Sequence, residues 1–185
     1  MKKILLILPF IAVALLSSAQ NNSFRMTYDV AIPTGKLSKD FISNTSWRGI
    51  SIDSRWGVNT NLTVGFLLGW QVFAERIDNF TGVTSDGLTT FNGTLFRTIN
   101  SFPLQANTHY FFGEEDGVRP WMGVGIGGAY SDQRSQVGFF ETRTNVWSFV
   151  VTPQVGIDIP INDETSFTLH ARYNYYNHDA VSFNY

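Results

Sequence analysis

The chain contains no cysteine, which excludes disulfide staples, the modified cysteine of a lipoprotein anchor, and metal centres built on thiolates. It also lacks a surplus of positive charge: 13 Lys and Arg stand against 15 Asp and Glu, a formal net charge of -2. A nucleic-acid partner calls for a basic patch or stripe, so none is expected. After Leu16 no apolar run approaches the roughly 20 residues of a spanning helix. If the chain crosses a membrane, it does so as strands. Only three histidines are present, His109, His170 and His178, and their spacing is not that of metal ligands. No GxSxG nucleophile elbow occurs, and single Ser, His and Asp residues define no triad. Catalytic residues, a metal site and a cofactor are therefore not expected.

What is present begins with a leader. Lys2 and Lys3 form a basic start, Ile4 to Leu16 an apolar run broken only by Pro9, and Ser17, Ser18 and Ala19 a small-residue end. That is the pattern of a cleavable secretory signal, residues 1–19, with the cut after Ala19. A retained helical anchor is the alternative, but the run is about 13 residues where about 20 are needed. Residues 20–185 then form one exported domain.

The mature chain is rich in aromatics, 15% with 16 Phe, and in Gly, also 16, at an ordinary hydrophobic content of 43%. Strands apolar on one face only have this composition. Alternation with a period of two recurs along the chain. Leu62, Val64, Phe66, Leu68, Trp70, Val72 and Ala74 face Thr63, Gly65, Leu67, Gly69, Gln71, Phe73 and Glu75. The same pattern sets Phe24, Met26, Tyr28 and Val30 against Arg25, Thr27 and Asp29. It also sets Phe167, Leu169, Ala171, Tyr173 and Tyr175 against Thr168, His170, Arg172 and Asn174. Further strands are expected at about Trp47–Val58, Leu95–Phe112, Trp121–Tyr130 and Thr144–Ile159. Pro103 and Pro153 fall inside two of them and are read as bulges, because proline cannot donate to a ladder.

Connections alternate in length. Gly57–Asn61, Gly113–Arg119 and Asn162–Thr165 are short, whereas Pro33–Ser46, Ile77–Gly93 and Ser131–Arg143 are long and polar. Outer-membrane barrels combine short periplasmic turns with longer external loops, and a periplasmic N-terminus places every long connection outside. A soluble sandwich or lipocalin-like barrel also alternates. Its interior would have to hold the aromatics of every strand, too much for an eight-stranded interior that side chains just fill. Phe24, Trp56, Trp70, Phe112, Trp121 and Trp147, near strand ends, suit interfacial girdles.

With the apolar face outward, the polar set is interior: Arg25, Asp29, Asp53, Arg55, Glu75, Gln105, Asn107, His109, Asp158, His170 and Arg172. Each charge there needs a partner to offset desolvation. The set is expected to plug the barrel; a narrow channel or transporter is the alternative. Gly123, Gly125 and Gly127 lie on one strand face with no helix following, so they fail the dinucleotide fingerprint and instead make room for large inward neighbours. Glu114-Glu115-Asp116-Gly117 is a turn rather than a calcium loop.

The segment Arg119-Pro120-Trp121-Met122-Gly123-Val124-Gly125-Ile126-Gly127-Gly128-Ala129-Tyr130 resembles a strand of the small outer-membrane β-barrel superfamily, which includes the OmpA transmembrane domain and OmpX-like proteins. Pro153–Ile159, the turn Asn162-Asp163-Glu164-Thr165 and Phe167–Tyr176 resemble the hairpin that follows, in the form common in Bacteroidetes. The resemblance covers the mature chain. It implies an antiparallel up-and-down, eight-stranded barrel in the outer membrane of a Gram-negative-type bacterium, monomeric, surrounded by outer-membrane lipid, with external loops free to meet a cell-surface or extracellular partner. It is weak for function, since such relatives serve many roles. One departure concerns the last strand: only about Val181–Tyr185 remains where roughly 9 to 11 residues cross a bilayer. Either an alternating segment of about ten residues continues beyond Tyr185, which is expected, or the barrel closes against this stub.

Overall fold

The computed structural model describes residues 22–83, 90–114, 117–138, 140–162 and 164–177. The leader expected at 1–19 and the stub expected at 181–185 lie outside the described residues. Eight strands follow in order: β1 (Asn22–Tyr28), β2 (Arg48–Gly57), β3 (Leu62–Val83), β4 (Thr90–Phe111), β5 (Arg119–Val137), β6 (Phe140–Pro160), β7 (Ser166–Arg172) and β8 (Tyr175–Tyr176). From β1 to β7 each strand pairs antiparallel with the next in one up-and-down sheet, and β8 pairs with β6.

β7 and β8 are two parts of one strand. Gln154 pairs with Arg172 and Val151 with Tyr175, so the register does not change between them. The interruption falls opposite Pro153, whose carbonyl still accepts from the Tyr173 N–H at 3.0 Å but which has no N–H to return. Pro103 behaves alike: the β3–β4 ladder lapses between Leu68↔Leu104 and Gln71↔Ser101 and resumes in the same register. Neither proline is a bulge, contrary to expectation; each removes a rung without inserting a residue. Gly69 sits opposite Pro103, where a β-carbon would begin 2.9 Å from the proline ring. The register shift in this ladder lies between Ile77 and Phe80, around Asn79 at φ 58°.

The two stretches expected as long loops after Ile77 and Ser131 are largely strand. β3 runs to Val83 and β4 begins at Thr90, while β5 and β6 meet across a turn that holds Gly138 at φ 58°. Polar residues on both faces weakened the alternation there, yet backbone pairing along a hairpin does not require an apolar face. Among the described residues, the 33–46 connection keeps an irregular course, with a π-helical turn at Leu37–Phe41. The asymmetry of the two ends stands: the tall hairpins and this connection share one end, and the short turns share the other.

The sheet curls so that one face is enclosed and the other is not. Leu67, Gln105, His109 and Trp121 are buried on the inner face, while Phe66, Leu68, Leu104, Ile126 and Trp147 stand outward and exposed. Among the described residues the outer face bears no charged side chain between Leu62 and Ala74 on β3, Phe102 and Phe112 on β4, Met122 and Tyr130 on β5, or Trp147 and Ile159 on β6. Charges on that face begin beyond this band, at Arg48, Arg76, Asp132, Arg134 and Arg143.

Among the described residues the expected closed ring is not formed by hydrogen bonds: β1 and β7 each pair on one side only. Side chains bridge them instead. Arg172 Nη2 lies 2.5 Å from the Asp29 carboxylate, and the hydroxyls of Thr34 and Tyr173 are 3.5 Å apart.

Candidate functional site

The register that pairs β1 with β2 sets Arg25 directly opposite Asp53, and Arg55 follows on the same face two residues later. Asp53 becomes the centre of the interior. Its Oδ2 accepts from Arg25 Nη2 at 2.5 Å and Arg55 Nε at 2.9 Å, and its Oδ1 accepts from Asn107 Nδ2 at 2.8 Å. Asn107 reaches it across β3 because Gly65 lies between them and has no side chain.

From the opposite wall Asp158 on β6 lies 3.3 Å from Arg55 Nη1 and accepts from Trp121 Nε1 and Thr168 Oγ1, each at 2.8 Å. The Trp121 ring lies under both guanidinium groups, 4.8 Å from Arg25 and 5.1 Å from Arg55. His109 stands edge-on to the same ring at 5.0 Å and is fully buried. A second ion pair, Arg172 with Asp29, sits nearer the open edges, where Arg172 also donates to Ser51 Oγ at 3.2 Å. Three guanidinium groups thus meet three carboxylates inside the curled sheet.

Of the residues expected inside, Arg25, Asp53, Arg55, Asn107, His109 and Asp158 come together in the first cluster, with His170 facing Trp121 at 6.0 Å. Asp29 and Arg172 form the second. Gln105 is buried on the same face, with no protein partner for its Oε1. Glu75 is a correction. It accepts from the N–H and hydroxyl of Ser43, at 3.1 and 2.7 Å, and so holds the 33–46 connection rather than joining the network. On the inward side of β3, Phe73 and Glu75 both meet that connection.

Beside Glu75, Arg97 Nη1 donates to the Phe41 carbonyl at 2.9 Å, and Phe41 and Ile42 bury themselves on Ile99 against Leu37 and Phe73. An apolar stopper thus covers the end of the interior opposite the short turns. Composition gave no hint of it, because Phe41 and Ile42 sit in an otherwise polar stretch.

Trp121 is a second correction, since it was expected in an outer girdle. It is 2% exposed and points inward. Gly123, Gly125 and Gly127 share its face, and Gly156 opposite it leaves the space its indole fills. Counting by twos from the glycines would have placed it. His178 lies outside the described residues.

Chemically the arrangement neutralises its own charges beside a cavity of about 1620 Å³, which Arg25, Arg55, Asp158, His170 and Arg172 line together with the β1 and β7 edges. His109 Nδ1 is 3.4 Å from the Thr63 hydroxyl, and its Nε2 is 3.9 Å from Asp53. The Asp53 oxygen on that side already accepts from two guanidinium groups, which leaves it poorly placed to orient an imidazole. Among the described residues no group of three His, Asp or Glu side chains could hold a metal ion.

No protein-family model, curated protein or solved structure matches the chain.

Proposed function

We propose that the chain is an integral outer-membrane protein of the small β-barrel type, exported by its leader, with a structural or surface-interaction role and an interior plugged by its own side chains. One observation carries the reading: across a band of outer face the chain presents only uncharged, mostly large apolar residues, while the ionisable side chains at those levels turn inward and pair. On β5 the band runs from Met122 to Tyr130, close to the roughly 9 to 11 residues with which a tilted strand crosses a bilayer. Water would not demand such a division, whereas hydrocarbon does, because a charge facing lipid costs about 2 to 4 kcal/mol at mid-depth.

The same reading gives the tall hairpins a role. β3 and β4 are each 22 residues long, about twice what the band needs, so half of each stands beyond it at one end. That projection is polar and suits contact with an external partner. The Asp53 cluster and the Phe41–Ile42 stopper together support a plug over a conducting path.

Because the chain has no cysteine, single cysteines introduced along β3 report its faces directly. Bimane at positions 64, 66 and 68 should be quenched by brominated lipid tails in vesicles, whereas cysteine at 65 or 67 should stay unlabelled. Equal labelling and no lipid quenching at all five positions would overturn the membrane reading. Steady unitary currents in planar bilayers would overturn the plug.

A further inference from the structure

The registers of β3 to β6 sort the outward side chains into rows, and the rows change character at the tall-hairpin end. Trp70 on β3 lies level with Phe102, Tyr130 and Trp147 on the next three strands, with neighbouring ring centroids 6.4, 6.3 and 5.3 Å apart. Trp70, Phe102 and Trp147 are exposed. A row of outward aromatic rings at the end of an apolar band suits the level where hydrocarbon gives way to lipid headgroups.

The next outward row, about 7 Å farther along the strands, holds Asn100, Asp132 and Asn145, and the row after it sets Arg134 directly opposite Arg143. Like charges in that position repel. Asp132 offsets the repulsion: its carboxylate accepts from Arg134 Nη2 at 3.1 Å, Arg143 Nε at 2.8 Å and Arg143 Nη2 at 2.9 Å. Both guanidinium groups therefore lean back one row, toward the aromatic rings. The Asp132 side chain is only 9% exposed, whereas those of Arg134 and Arg143 are 44% and 52% exposed.

Two guanidinium groups share one carboxylate, so the trio carries one uncompensated positive charge. The other charges on this outer surface lie apart from it. Arg76 is bound to Asp78 at 2.9 Å, Glu141 stands one row farther from the rings, and Arg48 is on β2, three strands away. β5 and β6 pair without interruption from Arg119↔Asp158 to Val137↔Phe140, so the trio and two of the rings are complete within one hairpin.

We propose that Arg134 and Arg143, held in place by Asp132, bind the phosphate of a membrane lipid whose headgroup carries net negative charge, with that lipid's chains lying below Tyr130 and Trp147. The site rests on the outer-membrane reading and adds to it a lipid class and a point of contact. Planar guanidinium groups offer paired N–H donors to phosphate oxygens, and the phosphate supplies the negative charge that the trio lacks. Phosphate free in water would make the ionic contact without the apolar one, which assigns the site to lipid.

The test places one bimane-labelled cysteine in the whole chain, by Phe149→Cys one row inside the rings or by Val155→Cys toward the short-turn end. The protein is folded into mixed vesicles of phosphatidylcholine and phosphatidylglycerol, with bromine on the tails of one lipid or the other. At 149 the quenching should show an association preference for phosphatidylglycerol of about fivefold, the worth of one basic residue at a membrane surface; at 155 the two lipids should quench alike. Arg134→Gln combined with Arg143→Gln should abolish the preference, and Arg76→Gln should leave it. Inorganic phosphate should not compete. No preference at 149, an equal preference at 155, survival of the preference in the double variant, or its loss to inorganic phosphate would each overturn the proposal. Should the double variant fail to fold, the contrast between 149 and 155 in the arginine-bearing chain still decides. Quenching by both lipids alike at 149 sinks this site alone, whereas no quenching by either lipid at either position sinks the membrane reading on which it rests.

Discussion

Asp53 offers the sharpest test of the interior network. It is 2% exposed and holds two guanidinium groups, Arg25 at 2.5 Å and Arg55 at 2.9 Å, together with the Asn107 amide. Asp53→Asn keeps the shape but removes the charge. Arg55 retains Asp158 at 3.3 Å, whereas Arg25 loses its ion pair and keeps the Trp121 ring. Removing one member of a buried ion pair costs about 3 to 5 kcal/mol, mostly through the charge left behind. Much of that loss should return when the stranded charge is removed too, in Asp53→Asn with Arg25→Met, for a coupling of about 2 kcal/mol. Urea titration of vesicle-refolded protein, followed by tryptophan fluorescence, measures both. A single-variant loss below about 1 kcal/mol, the worth of an exposed pair, would refute a buried network, and strict additivity in the double variant would refute the pairing.

Three further outcomes are expected. Phe66→Arg should destabilise the lipid-folded protein by about 2 to 4 kcal/mol, while Gln136→Arg near the hairpin tip should change it by less than about 0.5 kcal/mol; equal small effects in the same titration would mean the outer face meets water. Gly156→Ala should cost about 1 to 3 kcal/mol, since the new methyl would lie 2.5 Å from the Trp121 indole and 2.7 Å from His170 Cβ, and a neutral result would mean Trp121 is not packed there. Beyond the apolar band, the Asp132 carboxyl is held below its usual range by hydrogen bonds from Arg143 and then Arg134, and the Arg143 guanidinium is correspondingly raised. A carboxylate whose folded pKa is depressed stabilises above its unfolded value of about 3.9 and loses that contribution as pH falls through the folded value. The tall β5–β6 hairpin should therefore loosen only in strong acid, and a carboxyl carbon resonance of Asp132 titrating at or above the ordinary value would contradict the contact.

Strand identity and face were legible wherever one face was apolar and the other polar. Phe66 and Leu68 stand outward and Leu67 inward, as alternation predicts, because a period of two leaves each side chain only two directions. The interior residues Arg25, Asp53, Arg55, Asn107, His109 and Asp158 could be listed for the same reason. Alternation says nothing where both faces are polar, so it predicts loops at 78–83 and 131–137, where the structure has hairpin extensions. Nor does it say which inward residues lie level with one another. That Arg55 reaches Asp158 on β6 while Glu75 turns to Ser43 depends on inter-strand register and on how far the sheet curls, and these arise from pairing and packing between segments distant in sequence. The prolines show the same division. Their missing N–H was readable from residue type, but whether the ladder shifts or merely loses a rung depended on the partner strand, where Gly69 gives the Pro103 ring its space. By itself the sequence determined an all-β chain with a two-faced strand pattern and an inward polar set, since these follow from local stereochemistry and the partition of side chains between environments. Only the tertiary structure decided the Asp53-centred cluster and the Phe41–Ile42 stopper, because each depends on which distant strands come to face one another.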